Sequence, residues 1–327
     1  MRTERLSPNL TAIDFPAVQT EIASYLKQGT WSAGVKMGVI FEGGALRGVV
    51  SAGYGLAVSR YINAGSVFSL YGASSGGLNA IYYASDALEV ALKIYEENAT
   101  DPMCTNLWKF PNILNPDWLV DEWMFKNRRF DLDKINNRKP SVWLSLTDLD
   151  TGLPHYFNVK GSDPSLVRQA MKATAYAPLV SNGYQIIEGH RYGDGAISDA
   201  IPYEKARRDG CTHLICLLTR PPDYRKQHGF LSRGLETARL LHHTKSLREA
   251  WFARDVEYSQ LLDRLYVSGD DTIPTLILHP AARTDVPGNL ESRARVVAEM
   301  GGRAYKSALS ALEDQFDLPS AKSRAET

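Results

Sequence analysis

Apolar and polar positions follow two textures along the chain. Up to about residue 220, short uninterrupted apolar runs alternate with helical patterns; beyond it, long charged helical patterns take over. "VKMGVIFE" and "SVFSLYG" are continuously apolar, which marks strands covered on both faces. Between them "LRGVVSAGYGLAVSRYI" predicts a helix, and after the second run "GGLNAIYYASDALEVALKIYEE" predicts another. Strand, glycine loop, helix, strand, tight turn, helix is an α/β order, and it implies a parallel sheet with helical crossovers. "SVWLSLTD" and "PHYFNV" predict further strands, "DPSLVRQAMKATA" a capped helix, and "YQIIE" with "HRYGDG" a hairpin. "IPYEKARRDG" followed by "THLICLLT" repeats the step from helix to buried strand. Pro16 to Lys27 predicts an amphipathic helix, and Tyr305, Leu309, Leu312 and Phe316 form one face of a C-terminal helix. The terminal "PSAKSRAET" reads as a frayed end. The predicted organisation is an N-terminal helical segment (1–34), an α/β core (35–220) with an insertion at about 101–135, and a helical C-terminal extension (221–327) packed on the core.

Composition narrows the function classes. With 327 residues, 44% of them hydrophobic, the chain can bury a large core. Lys and Arg balance Asp and Glu at 37 each, so no global field attracts nucleic acid. Cys104, Cys211 and Cys216 are odd in number and match neither CxxC nor zinc spacing, so reduced, buried thiols are expected and no metal. The start "MRTERLSPNLTAIDFP" lacks the apolar stretch of a signal peptide. The uncharged window Tyr61 to Ser85 is too polar and glycine-rich to span a membrane. A cytoplasmic protein is expected.

Gly72, Ser74 and Gly76 spell G-x-S-x-G, the spacing of a nucleophile elbow between a strand and a helix. Residues two before and two after such a serine crowd each other, so only very small ones fit. The following helix would aim its N-terminal amides at the oxyanion formed when Ser74 attacks an ester. The competing reading is a tight turn with Ser75 as helix N-cap. In "FEGGALRG", Gly43, Gly44 and Ala45 follow a buried strand and precede a helix, where successive amides can converge on an anion. A phosphate loop is the competitor, but GK[ST] and G-x-G-x-x-G are both absent there. Arg47 could pin this loop or meet a charged head group. For a base, none of the seven histidines (155, 190, 213, 228, 242, 243 and 279) has a persuasive setting. Asp194 in "RYGDGAISDAIP" is the better candidate, a carboxylate at a strand end beside Gly195, which would let the backbone bend; Asp-Gly is also a common turn pair.

"FEGGALRG", "GASSGG" and "DGAISDAIP", in that order and with "LTDLDTG", "YAPL" and "LLTRPPDYRK", resemble the bacterial members of the patatin-like phospholipase family. The resemblance covers roughly Val35 to Lys226. It implies a three-layer α/β/α sandwich with a mostly parallel sheet, carrying a serine–aspartate acyl hydrolase that needs no histidine, metal or cofactor. By position it makes Ser74 the nucleophile, Asp194 its activator, and Gly43, Gly44 and Ala45 the oxyanion hole, with a lipid or fatty-acyl ester as substrate. One departure is Ala45, where the family usually has a third glycine; the hole survives it unless the position needs positive φ. Acyl transfer to another acceptor or thioester cleavage could use the same dyad, and a non-catalytic lipid-binding protein could keep the fold. An α/β-hydrolase with a histidine triad would need a late histidine to reach Ser74.

Two stretches bear on where a lipid would sit. Residues 103–130 concentrate Trp108, Phe110, Trp118, Trp123, Phe125 and Phe130, which could wall an acyl pocket, form a lid or fill a subsidiary core. Arg220 to Arg254 carries eight Arg or Lys against three Asp or Glu, with Leu231, Leu235 and Leu241 roughly on one face. That pattern suits either a helix lying on anionic lipid as a peripheral contact or a core helix with a solvated outer face.

Overall fold

The computed structural model describes residues 3–109, 112–178, 180–181, 183–225, 234, 236–237, 240–267, 273–288 and 290–318. Phe110, Leu179, Lys226, His228, Leu231, Leu235 and the segment 319–327 therefore lie outside the described residues. The strands are β1 (Thr3–Ser7), β2 (Leu10–Ile13), β3 (Met37–Phe41), β4 (Ser69–Ala73), β5 (Ser141–Asp148), β6 (Pro154–Asn158), β7 (Gln185–Ile187), β8 (His190–Asp194), β9 (His213–Leu217) and β10 (Thr275–Leu278). They form one sheet in the order β1-β2-β10-β9-β3-β4-β5-β8-β7, with β6 also on β5. β10, β9, β3, β4 and β5 run parallel in its centre, and antiparallel strands extend it on both sides.

The helices are α1 (Phe15–Gln28), α2 (Val49–Ser59), α3 (Ser75–Ala84), α4 (Leu88–Asn98), α5 (Leu132–Asn137), α6 (Pro164–Ala173), α7 (Tyr203–Arg208), α8 (Lys245–Val267) and α9 (Ala294–Phe316). Strand residues alternate between two helical layers. Val39, Phe41, Leu70, Leu217, Leu276 and Leu278 pack with α1, α2, α3, α4 and α9. Ile40, Tyr71, Cys216 and Ile277 pack with Tyr203 and Ala206 of α7 and with Leu262 and Leu265 of α8. Both faces are thus covered, which is why the central strands read as unbroken apolar runs. The three cysteines are free and buried.

Three sequence expectations change. The single helix predicted after Gly76 is two, α3 and α4, because Asp86 between them takes φ 55 in the left-handed region and ends the first. The N-terminal segment is not purely helical: β1 and β2 precede α1 and join the sheet. The C-terminal extension likewise contributes β10, which lies between β9 and β2. "LTAI" and "TLIL" are four-residue apolar runs, too short to show a period, and their pairing with each other makes them strands.

The pairing along β5 brings the candidate residues together. β6 runs beside β5 from Trp143 to Thr147, overlapping both β4 (at Ser141–Ser145) and β8 (at Leu146–Asp148). A strand has two edges, so β4 and β8 share the other one end to end. Ala73, the last residue of β4, faces Ser145, and Asp194, the last residue of β8, faces Leu146. The chain leaving β4 and the chain leaving β8 therefore meet at one point.

Candidate active site

Ser74 fills the one-residue turn between β4 and α3, with φ 54 and ψ −137, a conformation that costs an L-residue about 1–3 kcal/mol and is held by its surroundings. The flanking glycines are required by contact. A Cβ on Gly72 would lie 2.5 Å from the Gly76 carbonyl carbon, and one on Gly76 would lie 2.2 Å from the Phe41 carbonyl oxygen. The Ser74 N–H donates to Thr174 Oγ1 (2.8 Å), whose hydroxyl donates to the Ser145 carbonyl (2.8 Å). Thr174 is fully buried and ties the turn to β5; no local pattern in the sequence singled it out. The adjacent hydroxyl acts elsewhere. Ser75 begins α3, and its Oγ accepts the Gly44 N–H (3.1 Å).

Asp194 is 6% exposed, and its carboxylate accepts the Ala196 N–H at 2.8 Å. Burial pushes its acid group up to about 6, while the Ala196 amide, the Ser74 hydroxyl and the charge of Arg254 pull it back down. Gly195 does not serve to bend the chain, as it has no positive φ; a Cβ there would lie 2.0 Å from the Ser145 carbonyl oxygen, so close packing on β5 demands glycine. Arg254, from α8, is a residue that sequence reasoning placed on a basic outer face. It is mostly covered instead, 3.3 Å over the Trp251 ring and 3.5 Å from Asp255, while the Trp251 indole donates to Glu236 (2.9 Å). Its inward role follows from the docking of α8 on the site, which no local pattern encodes.

In the glycine loop, Ala45 has φ 52, so the position does take the conformation that favours glycine. Alanine enters that basin at a cost of about 1 kcal/mol. Ala45→Gly should consequently raise stability by up to about 1 kcal/mol in urea unfolding, partly offset by the greater freedom of glycine in the unfolded chain. A loss of stability would show that the Ala45 methyl packs more favourably than its backbone strains. Gly44, at φ 144, gives its amide to Ser75. Arg47 is buried under the loop: its Nε donates to Thr219 Oγ1 (3.3 Å), and that hydroxyl donates to the Gly43 carbonyl (2.9 Å). Of its two predicted roles, pinning the loop is the one these bonds serve.

Ser74, Asp194 and the glycine loop border a cavity of about 380 Å³. One part of its wall is apolar, with Leu78, Ile94, Leu114, Leu119, Met124 and Val180. The predicted insertion supplies several of these residues, so it walls the cavity. It also has an inner core: Met124 and Phe130 are buried, and the indoles of Trp118 and Trp123 both donate to Asp101 Oδ2 (2.9 Å each). Trp108, by contrast, is 98% exposed, and so is much of Leu241 on the predicted amphipathic face. Among the described residues no histidine borders the cavity. His279 is sealed in the core against Thr11 (2.9 Å) and the Pro280 carbonyl (3.0 Å). Among the described residues no helix is long and apolar enough to cross a membrane.

A serine on a strained strand-to-helix turn, set at the ends of parallel strands in a three-layer sandwich, defines a class of α/β proteins built around the nucleophile-elbow motif. Within that class the chain belongs to the patatin-like phospholipase family, whose model matches residues 39–207. It is also similar to the uncharacterized protein YjjU of Escherichia coli (strain K12), with 27% identity over 197 residues, which is 57% of this chain and 52% of YjjU. The chain thus spans about half the length of that relative.

Proposed function

We propose that the protein is a serine acyl hydrolase that cleaves carboxylic esters of lipids through Ser74 and Asp194. The observation that carries this reading is the buried Asp194 carboxylate beside the Ser74 hydroxyl, at the point where β4 and β8 meet on β5. Ser74 Oγ attacks the ester carbonyl carbon as its proton passes to Asp194, and the Gly43 and Ala45 amides hold the tetrahedral oxyanion. Collapse expels the alcohol, which takes the proton from Asp194, and leaves an acyl-serine. Water, deprotonated by the same carboxylate, then releases the fatty acid and restores Ser74. A carboxylate is a weak base at neutral pH, and burial strengthens it by raising its proton affinity.

The base must be ionised to act. Because burial raises the Asp194 carboxyl to about 6, kcat/KM should fall as pH drops below about 6. Removing the Arg254 charge in Arg254→Gln should raise that proton affinity further and shift the acid limb to higher pH. A limb that stays in place would exclude Arg254 from the electrostatics of the dyad. The direct test of the function is hydrolysis of medium- and long-chain acyl esters together with labelling by a fluorophosphonate. Absence of both in well-folded protein would refute the reading.

A further inference from the structure

The cavity wall on the side of the glycine loop is built around a buried carboxylate. Glu42 accepts the Thr219 N–H (2.6 Å) and the Tyr258 hydroxyl (2.9 Å), and its Oε1 lies 3.7 Å from Arg220 Nε. Next to it are two guanidiniums, Arg47 and Arg220, so this wall holds more positive than negative charge. Arg47 is engaged under the loop with Thr219. Arg220 is held differently: its guanidinium carbon lies 3.8 Å from the centre of the Tyr224 ring and 5.8 Å from that of Tyr258, contacts that hold it in place without using its N–H groups. Its distance to Glu42 exceeds a hydrogen bond, and the side chain borders the cavity. Burial, added to the repulsion of Arg220, lowers the pKa of Arg47 to about 10, an unfavourable state that a bound anion would relieve.

Elsewhere in the lining, Arg254 is surrounded by three carboxylates, Asp194, Glu236 and Asp255, so an anion is favoured beside Arg220 and Arg47 rather than there. The cavity volume of about 380 Å³ is near the lower end of ligand clefts, about 300–1,000 Å³, which suits one acyl chain rather than two.

We propose that Arg220, stacked on Tyr224 and flanked by Arg47 and Glu42, is a phosphate subsite that orients a single-chain ester with its charged head toward the glycine loop and its acyl chain along the apolar wall. This substrate class rests on the acyl-hydrolase reading above, but the subsite itself does not require turnover. A guanidinium fork on a phosphate makes two charge-assisted hydrogen bonds.

Binding and turnover can be tested separately. In Ser74→Ala protein, calorimetry should show dodecyl phosphate binding about tenfold or more tighter than uncharged 1-dodecanol. That preference should collapse when Arg220→Gln is added and return in part with Arg220→Lys, which restores the charge without the fork. Equal affinity for the two ligands, or an unchanged preference in Arg220→Gln, would overturn the proposal. Inorganic phosphate distinguishes the sources: Arg220-dependent binding as tight as that of dodecyl phosphate would overturn the head-group assignment in favour of a free-phosphate site. In the active enzyme, the kcat/KM ratio for 1-acylglycerol 3-phosphate over 1-acylglycerol should fall about tenfold in Arg220→Gln. A purely structural defect would lower both values and leave the ratio unchanged, which would also count against the subsite. If Arg220→Gln fails to fold, Arg220→Lys and the salt dependence of dodecyl phosphate binding give the same decision, because affinity that does not weaken with salt would overturn it. If the wild type cleaves neither ester while its Ser74→Ala form binds dodecyl phosphate through Arg220, the hydrolase reading fails and the subsite stands.

Discussion

Ser74→Ala is expected to abolish fluorophosphonate labelling and to lower ester hydrolysis by about 10³-fold or more, while Ser75→Ala keeps the label and loses about tenfold or less. The two neighbours differ because their hydroxyls face different partners. Ser74 lies against the Asp194 carboxylate, whereas Ser75 Oγ accepts the Gly44 amide and so shapes the glycine loop. Losing that neutral hydrogen bond in Ser75→Ala costs about 1 kcal/mol and loosens the loop without removing the nucleophile. Ser74→Ala keeps a Cβ on the same strained backbone, so circular dichroism and Tm should stay near wild type. Labelling that persists in Ser74→Ala would move the nucleophile elsewhere and undo the site.

Asp194→Asn should move activity and stability in opposite directions. Activity should fall by about 10³-fold or more, since the amide can accept no proton from Ser74. The stability effect follows from burial. The folded-state proton affinity of Asp194 is raised, to about 6, above its ordinary value of 3.8. A group raised in this way contributes fully to stability below about pH 4 and loses that contribution as pH climbs through about 6. At pH 7.5 the ionised carboxylate therefore destabilises the fold, by about 3 kcal/mol. A neutral asparagine, still able to accept the Ala196 N–H, removes that penalty and should raise Tm by a few degrees at pH 7.5, with little change at pH 4. A Tm that falls at pH 7.5 would mean that the carboxylate is well paired in the native protein and is not the strained base assigned to it.

How much of this was legible in the sequence depended on how local each feature is. The elbow could be read because its causes lie within five residues: the close approach of Gly72 to Gly76 leaves room for no side chain, and the motif records that directly. The central strands could be read because helices cover both faces and their apolar runs are unbroken. Thr174 could not, since it acts on Ser74 across 100 residues and a buried threonine in a helix-end sequence has no distinguishing pattern. Arg220 and Arg254 fall in a stretch whose charge excess looked like a solvated surface, because composition records charge and not the direction in which the folded chain turns it. β2 and β10 were missed for a related reason, as neither has a period of its own and each is a strand only beside the other. Gly195 was noticed for the wrong property, flexibility, where the contact with Ser145 demands smallness.

The placement of β10 inside the sheet has a consequence for the order of events during synthesis. β9 lies beside β3, the strand that leads into the glycine loop, and its other edge is closed only by β10, whose last residue is Leu278. Until the ribosome has delivered that residue, the nascent chain carries an apolar strand edge open to pairing with other chains. The contact that closes it is among the most distant in the sequence, linking β10 to a hairpin made at the very start, and such closure is slow. Residues 39–207, which suffice to identify the family, contain neither β9 nor β10 and so leave β3 paired on one side only, with β4. Expressed alone, that fragment would be a template for aggregation, and a chaperone's hold on the growing protein would be needed longest at the edge next to the glycine loop.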